Sequence, residues 1–535
     1  MSRTERISFG VLTVVCAATR PLAMARSPWA WDEMLFTCAA RAYDVTQHHP
    51  HPPGYPLFIV LGKLARLIVR DDFRALQAVN LVAGALLFPA VFFLARELQL
   101  RFETAAIAGV LCAFLPTVWF YGGTAFSDVT SIVIIVFAAA LLLRGSPAGA
   151  FLLGCAIAIR PQNLLIGLAP MRKRVRDAWL ALIPVVLCYG GAAIASGGWS
   201  RFADACRYQS AYIMRLDSFR NPRRPPLLSL FERFFVMQYG WNPLSIAISL
   251  LVVVSIIFAI RRRDRGLLLN ALTFGPFAIA AWLLLDPFSV RRYSIGYLPM
   301  FAIFAADGIE RIARGRWRIV IASALVLASI AWTAPALIRV MREDSPPIAA
   351  LKHLPDDLYV GYAMAPYVNR PYVLVQDEFA LPLSPGKHWL LTEIDHTTPS
   401  GLVFSRPHDQ LWQLAVRRYF TVALEPMTRF ATFGEGWQPP ERKDHDEWRW
   451  MGARSVMHLP PIRDHAYLRL AFDSPEPGSV EVRINGELRE TVAVTPALLE
   501  RNYNVPSADR DNIVELTLHG ASRLRLRWLG WGSRR

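Results

Sequence analysis

The chain has 535 residues, of which 53% are hydrophobic, and it carries a formal net charge of +16 at pH 7. Its apolar residues are gathered in long runs, which excludes an ordinary soluble protein and indicates a membrane protein with many spans. Lys and Arg lie in short clusters between these runs, where anionic lipid rather than nucleic acid is the expected partner. The six cysteines show no Cys-x-x-Cys spacing, and only Cys38 and Cys206 are placed to pair outside the bilayer.

The first apolar segment begins at Ile7 and has two readings. Arg3, Arg6 and the small residues Ala23-Met24-Ala25 imitate a secretory signal with its cleavage site. Arg20-Pro21 interrupts the segment just before that site, and many further spans follow that need no removable leader. We therefore predict a retained first helix over 7–25.

A long polar loop, residues 26–76, follows this helix. It contains Trp31-Asp32-Glu33 and then the run from His48 to Pro56, which reads HHPHPPGYP. Carboxylates and imidazoles beside a bilayer indicate a polar substrate or an ion. The alternatives are structural: Asp32 as a helix cap, and His51-Pro52-Pro53 as a stiff entry into the next helix. On a helix, Asp32 and Glu33 point about 100° apart, so only one of them can face a given atom.

The remaining spans are read with a window of about 20 residues, which makes about eleven in all. They lie near 77–96, 104–121, 128–143, 148–160, 162–171, 178–196, 243–260, 267–285, 294–311 and 317–336. The two short segments between 148 and 171 meet at Arg160-Pro161, which predicts a broken helix pair whose junction faces a polar cavity. Arg160 needs a partner there, because an unpaired cation at membrane depth is costly. Asp128 begins the span at 128–143, where it can serve as the cap of that helix.

The orientation follows from basic connectors. Those at 172–174, 261–263 and 311–318 are dense in Lys and Arg and mark the cytoplasmic side, which places the N-terminus inside and the C-terminal tail outside. The loop 197–242 mixes arginines with aromatic residues, as is typical of a helix lying in the membrane interface. Arg291-Arg292-Tyr293 opens the external end of a span, where long basic side chains can reach ordinary lipid headgroups.

Three regions are predicted: a membrane region 1–340, a mixed soluble region 341–425, and a β-sandwich 426–535. In the last, Val480, Val482 and Ile484 alternate with polar residues, and Asn485-Gly486 supplies a hairpin turn. The segment 523–528 alternates as strictly. The tryptophans of this region stack on sugars or pack in the core; they include Trp437, Trp448, Trp450 and Trp531.

A family resemblance rests on the first external loop. Trp31-Asp32-Glu33 followed by the segment 51–57, HPPGYPL, resembles the loop of integral-membrane glycosyltransferases of the GT-C fold, in particular the protein O-mannosyltransferase and aminoarabinose transferase group. The Gly54-Tyr55 pair departs from the more usual apolar continuation. The resemblance implies an enzyme of the bacterial inner membrane that moves a sugar from a polyprenyl-phosphate donor to an external lipid, glycan or protein acceptor.

The resemblance and the chemistry together assign roles. Transfer needs a base for the acceptor hydroxyl and cations for the leaving phosphate, and Asp32 is the expected base with Glu33 beside it. Residues expected to bind substrate or lipid phosphate are His51, Tyr55, Arg160, Arg291, Arg292 and Tyr293. The resemblance also gives Asp128 as a contact to a metal ion or to the acceptor, and a divalent metal ion with Asp128 and His48 as candidate ligands stays an open alternative. A multispan transporter or flippase and a non-catalytic scaffold of envelope polysaccharide assembly remain the alternative functions.

Overall fold

A computed structural model describes residues 1–240, 242–285, 290–375, 380–393, 401–406, 409–415, 421–460, 467–505 and 511–532. The chain forms two compact units. The first comprises 1–345 together with 407–417, and the second comprises 346–406 together with 418–535. The first unit therefore includes a short segment from the region that the sequence assigned to the soluble tail.

The first unit is helical. Its helices in chain order are α1 Arg3–Ala18, α2 Trp31–Arg41, α3 Pro56–Val69, α4 Asp72–Glu97, α5 Phe102–Phe114, α6 Pro116–Tyr121, α7 Asp128–Arg144, α8 Ala148–Ile159, α9 Leu164–Met171, α10 Ala178–Ala195, α11 Trp199–Tyr212, α12 Leu227–Phe231, α13 Pro243–Arg262, α14 Arg265–Leu284, α15 Val290–Ser294, α16 Leu298–Ile312 and α17 Trp317–Arg342. The second unit adds α18 Pro346–Ala350, and α19 Gln410–Leu414 returns to the first.

Six helical stretches in the described part of the chain are long and apolar enough to cross a membrane, fewer than the eleven or so predicted. They are Arg3–Ala23, Asp72–Glu97, Pro161–Ala195, Pro243–Arg262, Arg265–Leu284 and Trp317–His353. The expected span at 104–121 is divided at Leu115, which leaves the helical conformation with a ψ of 132°, as the residue before a proline often does. The helices α5 and α8 are apolar but only 13 and 12 residues long. The chain is a multi-pass membrane protein, as predicted, with several helices shorter than a full span.

The second unit is rich in β-strands. They are β1 Leu358–Gly361, β2 Val373–Val375, β3 Trp389–Glu393, β4 Leu402–Ser405, β5 Thr421–Pro426, β6 Thr432–Phe433, β7 Glu441–Lys443, β8 Asp446–Met451, β9 Arg454–Leu459, β10 Tyr467–Asp473, β11 Gly478–Ile484, β12 Glu487–Val494, β13 Leu499–Asn504, β14 Asn512–His519 and β15 Leu524–Gly532. The strands β1 to β5 form one mixed sheet in the order β2-β1-β3-β5-β4. This sheet occupies the region whose topology the sequence pattern left unassigned.

The predicted β-sandwich is confirmed in the C-terminal part of this unit. Two five-stranded sheets, in the orders β13-β10-β15-β8-β7 and β12-β11-β14-β9-β6, share one core. The predicted alternation places Val480, Val482 and Ile484 in that core. Asn485 and Gly486 connect β11 to β12 with left-handed φ values of 54° and 85°, as a tight hairpin turn requires.

The tryptophans of the sandwich differ in their surroundings. Trp531 is buried in the shared core, so the stacking role suggested for it is wrong. Trp437 packs against the same core and donates its Nε1 hydrogen to the Val456 carbonyl oxygen. Trp448 and Trp450 lie on the other face of β8, where Arg525 covers both rings at 5.6 and 5.1 Å. No disulfide bond joins Cys38 to Cys206 in the described part of the chain.

Candidate active site

The two adjacent carboxylates of α2 have different surroundings, as helix geometry predicts. Glu33 is fully buried, and its Oε2 accepts hydrogen bonds from the backbone N–H groups of Trp29 and Ala30 at 2.8 and 3.1 Å. Its Oε1 accepts a third from Ala125 at 2.9 Å. Asp32 points elsewhere and its side chain is 21% exposed. Glu33 therefore fastens two backbone segments together, while Asp32 faces the site.

The loop between α6 and α7 is held by two amides of α4 that the sequence reading did not single out. Gln77 donates to the carbonyl oxygens of Ala25 and Gly123 at 2.8 and 2.7 Å. Asn80 donates to those of Thr124 and Phe126. A pair of amides three residues apart within an apolar run lies on one helix face, and this spacing is the signal that was available. Buried donors of this kind set the path of the backbone that carries Asp128.

Arg160 lies at the predicted break between α8 and Pro161, with an extended backbone. Its Nη1 donates to Asp128 Oδ1 at 2.5 Å and its Nε to Ser127 Oγ at 3.1 Å. Both charged side chains are nearly inaccessible, so each depends on the other for stability. Arg160 thus has a carboxylate partner in this structure, where the sequence reading expected a phosphate.

Arg292 joins the two aspartates. Its Nη1 donates to Asp32 Oδ2, and its Nε lies 3.3 Å from Asp128 Oδ2. Its guanidinium lies 4.3 Å above the ring of Phe126 and 5.2 Å from that of Tyr293. The structure therefore brings together Asp32 from α2, Asp128 from α7 and Arg292 from α15, three residues that the sequence reading had considered separately.

His51 and Tyr55 close another side of the site. The Nε2 of His51 and the hydroxyl of Tyr55 share a hydrogen bond of 2.7 Å, and the Nδ1 of His51 lies 3.7 Å from Asp32 Oδ1. Arg160 lies 5.6 Å from the centre of the Tyr55 ring. Burial lowers the pKa of His51 to about 4, although Asp32 opposes the shift, so His51 is neutral at physiological pH.

Gly54 explains why the loop departs from the apolar continuation that the resemblance led us to expect. Its φ is +98°, in the left-handed region, and a Cβ at this position would collide with Tyr43 Oη. The close approach allows Tyr55 to cap α3 with its side chain directed at His51. Gly54 and Tyr55 are thus part of the construction of the site.

The predicted metal ligands do not come together. Each oxygen of Asp128 faces a guanidinium, Arg160 on one side and Arg292 on the other. His48 instead packs beside the ring of Trp31, at 6.1 Å between centroids. Among the described residues no group of three His, Cys, Asp or Glu side chains is arranged to hold a metal ion. The residues present do not fit a divalent cation, and no step is assigned to one.

Glu33 and His51 have opposite pKa shifts, which predicts a pH-dependent stability. Burial raises the pKa of Glu33 from 4.5 to about 7, and burial lowers the pKa of His51 from 6.5 to about 4. The contribution of Glu33 to the stability of the folded protein is complete below pH 4.5 and is lost as the pH rises through 7. That of His51 is complete above pH 6.5 and is lost as the pH falls through 4. Between pH 4.5 and 6.5, a rise in pH therefore lowers the stability through Glu33 and raises it through His51.

Removing the charge of Glu33 separates the two effects. In Glu33→Gln only His51 still makes the stability depend on pH in this range. The melting temperature of the detergent-solubilised variant is therefore expected to rise more steeply from pH 4.5 to 6.5 than that of the wild type. Glu103→Gln, at a side chain that is 67% exposed, is the control and is expected to leave the slope unchanged. Parallel curves for Glu33→Gln and the wild type would contradict the assigned shifts.

Comparison with known proteins finds likeness in structure alone. No protein-family model and no curated protein sequence matches the chain. The chain is similar to ArnT from Cupriavidus metallidurans in the apo state, at 12% identity over 78% of this chain and 97% of that chain, with a TM-score of 0.47. For the same protein bound to undecaprenyl phosphate the identity is 10%, the coverages are 79% and 98%, and the TM-score is 0.48.

An archaeal protein shows a similar likeness. The oligosaccharyltransferase of Archaeoglobus fulgidus in the apo form is 12% identical over 69% of this chain, with a TM-score of 0.42, and the chain spans 64% of its length. Glycosyltransferases of the GT-C fold, the group that the first external loop resembles, are thus among the solved structures to which this chain is similar.

Proposed function

We propose that the chain is a GT-C glycosyltransferase that moves a sugar from a polyprenyl-phosphate donor to a hydroxyl group of an extracytoplasmic acceptor, with Asp32 as the general base. One observation carries the proposal. Asp32, Asp128, Arg160 and Arg292 form a single network, and only Asp32 opens to solvent, with 21% of its side chain exposed against 2 to 6% for the others. Asp32 is therefore the carboxylate of this network that an acceptor hydroxyl can reach.

The chemistry of the transfer matches these groups. The Asp32 carboxylate takes the proton of the acceptor hydroxyl while that oxygen attacks the anomeric carbon of the sugar. The bond between the anomeric carbon and the phosphate oxygen breaks, and its electron pair stays with the phosphate. His51 is neutral beside Asp32 and therefore does not compete for its charge.

The arginines stabilise the phosphate as its charge grows. A guanidinium has five N–H donors, and the contacts of Arg292 with the two aspartates engage only its Nη1 and Nε sides. The remaining donors suit a phosphate oxygen, and Arg291 and Arg160 add positive charge nearby. Phe126 and Tyr293, beside Arg292, keep its guanidinium in a fixed orientation. Glu33 has a positioning role, since its carboxylate is committed to three backbone N–H groups.

The cellular setting follows from the same proposal. The basic connectors support a cytoplasmic N-terminus and an external site, and a polyprenyl-phosphate donor fits a bacterial inner membrane. The acceptor is a lipid, a glycan or a protein with a free hydroxyl group. The second unit then lies on the side of the membrane where the acceptor is found.

Reconstitution in proteoliposomes tests the function. The purified protein is given a panel of radiolabelled polyprenyl-phosphate sugars with membrane extract as the acceptor source, and free polyprenyl phosphate is measured. We expect its release with at least one donor. Movement of the intact labelled donor between leaflets, without release of polyprenyl phosphate, would overturn the proposal and establish a flippase instead.

A further inference from the structure

A short segment from the C-terminal half of the sequence is part of the membrane unit. Residues 409–415, which include α19, follow the fourth strand of the mixed sheet in the chain, yet they belong to the first compact unit. Leu411 and Leu414 are fully buried there. This burial shows that the segment is packed into the helical unit and does not merely pass along its surface.

Polar contacts hold the segment at both ends. Asp409 forms an ion pair with Arg339 of α17. At the other end the hydroxyl of Tyr121 donates to the carbonyl oxygen of Leu414 at 3.0 Å. The ring of Tyr121 lies edge-on to Phe126 at 5.4 Å, and Phe126 is the ring that carries Arg292. The segment therefore lies two side chains away from the arginine that binds Asp32.

Gln413 makes the most direct contact with the site. Its Oε1 accepts a hydrogen bond from Arg291 Nη2 at 3.2 Å. The side chain is confined on its other side by Gly240, where a Cβ atom would come within 2.8 Å of the same oxygen. A hydrogen-bond acceptor that cannot move fixes the orientation of the arginine that it binds, because the N–H groups of a guanidinium have fixed directions.

We propose that Gln413 is a positioning residue for donor binding: it fixes the direction of the Arg291 guanidinium, on the same short helix as Arg292, so that Arg291 offers a preformed contact to the phosphate of the lipid donor. The inference rests on the proposed function. Gln413 acts on donor binding and does not touch the reacting atoms, so its loss raises the KM for the donor and leaves kcat unchanged. A purely structural role would lower the stability without this selective effect on KM.

The test compares three variants with the wild type. Gln413→Leu removes the hydrogen-bond acceptor of Arg291 at nearly constant side-chain volume. Gln413→Glu keeps a carboxylate oxygen at the same place. Gln410→Leu is the matched control in the same helix. Each protein is measured for turnover with the active donor and for equilibrium binding of polyprenyl phosphate alone. We expect the KM for the donor and the Kd for polyprenyl phosphate to rise about tenfold in Gln413→Leu. Gln413→Glu is expected to recover most of the loss, and Gln410→Leu to match the wild type.

The outcomes distinguish the inference from the function on which it rests. If the wild type neither binds polyprenyl phosphate nor turns over any donor, the proposed function fails and the inference with it. If the wild type does both and Gln413→Leu is indistinguishable from it, only the inference is overturned. Equal losses in Gln413→Leu and Gln410→Leu, accompanied by lower melting temperatures, would also overturn it, because they would indicate general packing.

Discussion

Asp32→Asn is expected to lower kcat for sugar transfer by ~10²–10⁴, the usual contribution of a positioned general base. An amide cannot accept the proton of the acceptor hydroxyl, but it keeps the size of the side chain and one oxygen for Arg292. Arg292 also keeps its contact with Asp128, so the network loses one charge without being dismantled. Binding of polyprenyl phosphate is therefore expected to persist, and isothermal titration beside the turnover assay checks both expectations.

A carboxylate elsewhere in the same loop provides the control. Asp44 caps a short helical turn through the Thr46 N–H group, a bond that the amide oxygen of Asp44→Asn retains. This control is expected to turn over donor at the rate of the wild type. Full activity in Asp32→Asn would remove Asp32 from the mechanism and leave the non-catalytic scaffold as the better reading of the chain.

Arg292→Lys is expected to lower kcat/KM for the donor by about 10²–10³, as the loss of a group that stabilises developing charge does. Lysine retains one positive charge, so Asp128 keeps a cation nearby and the chain is expected to fold. Its ammonium is a single point and cannot face Asp32, Asp128 and a phosphate in one plane as the guanidinium does. Steady-state kinetics over a range of donor concentrations measures the change.

Arg160→Lys gives a comparison within the same network. Arg160 contacts Asp128 and Ser127, and its contact with the base is indirect, so a smaller loss is expected. A melting temperature close to that of the wild type shows that each variant is folded. Unchanged kinetics in both lysine variants, with both proteins folded, would contradict the proposal that these arginines bind the donor phosphate.

Much of the site follows from local patterns in the sequence, but its assembly does not. The divergence of Asp32 and Glu33 follows from the helix period alone, and the break at Arg160 follows from the proline after it. The pair between Arg160 and Asp128 joins two helices across 32 residues, and no local period sets the register between helices. Each residue was therefore identified, while its partner was not.

The contacts that sequence reasoning missed join residues that are more distant still. Glu33 reaches Ala125 across 92 residues, and Arg291 reaches Gln413 across 122. Gln77 and Asn80 were overlooked because a window of about 20 residues averages single polar side chains into the apolar run around them. The hairpin at Asn485-Gly486, by contrast, was predictable because both of its determinants are adjacent in the chain.

The place of α19 within the membrane unit also bears on the order in which the protein is completed. The ribosome makes every helix from α1 to α17 before it reaches residues 409–415, so the inserted helices wait for a segment that arrives last. Until then Tyr121 has no Leu414 and Arg339 has no Asp409 to bind. A nascent or prematurely terminated chain can thus fill the membrane with its full set of spans while its membrane unit is still incomplete.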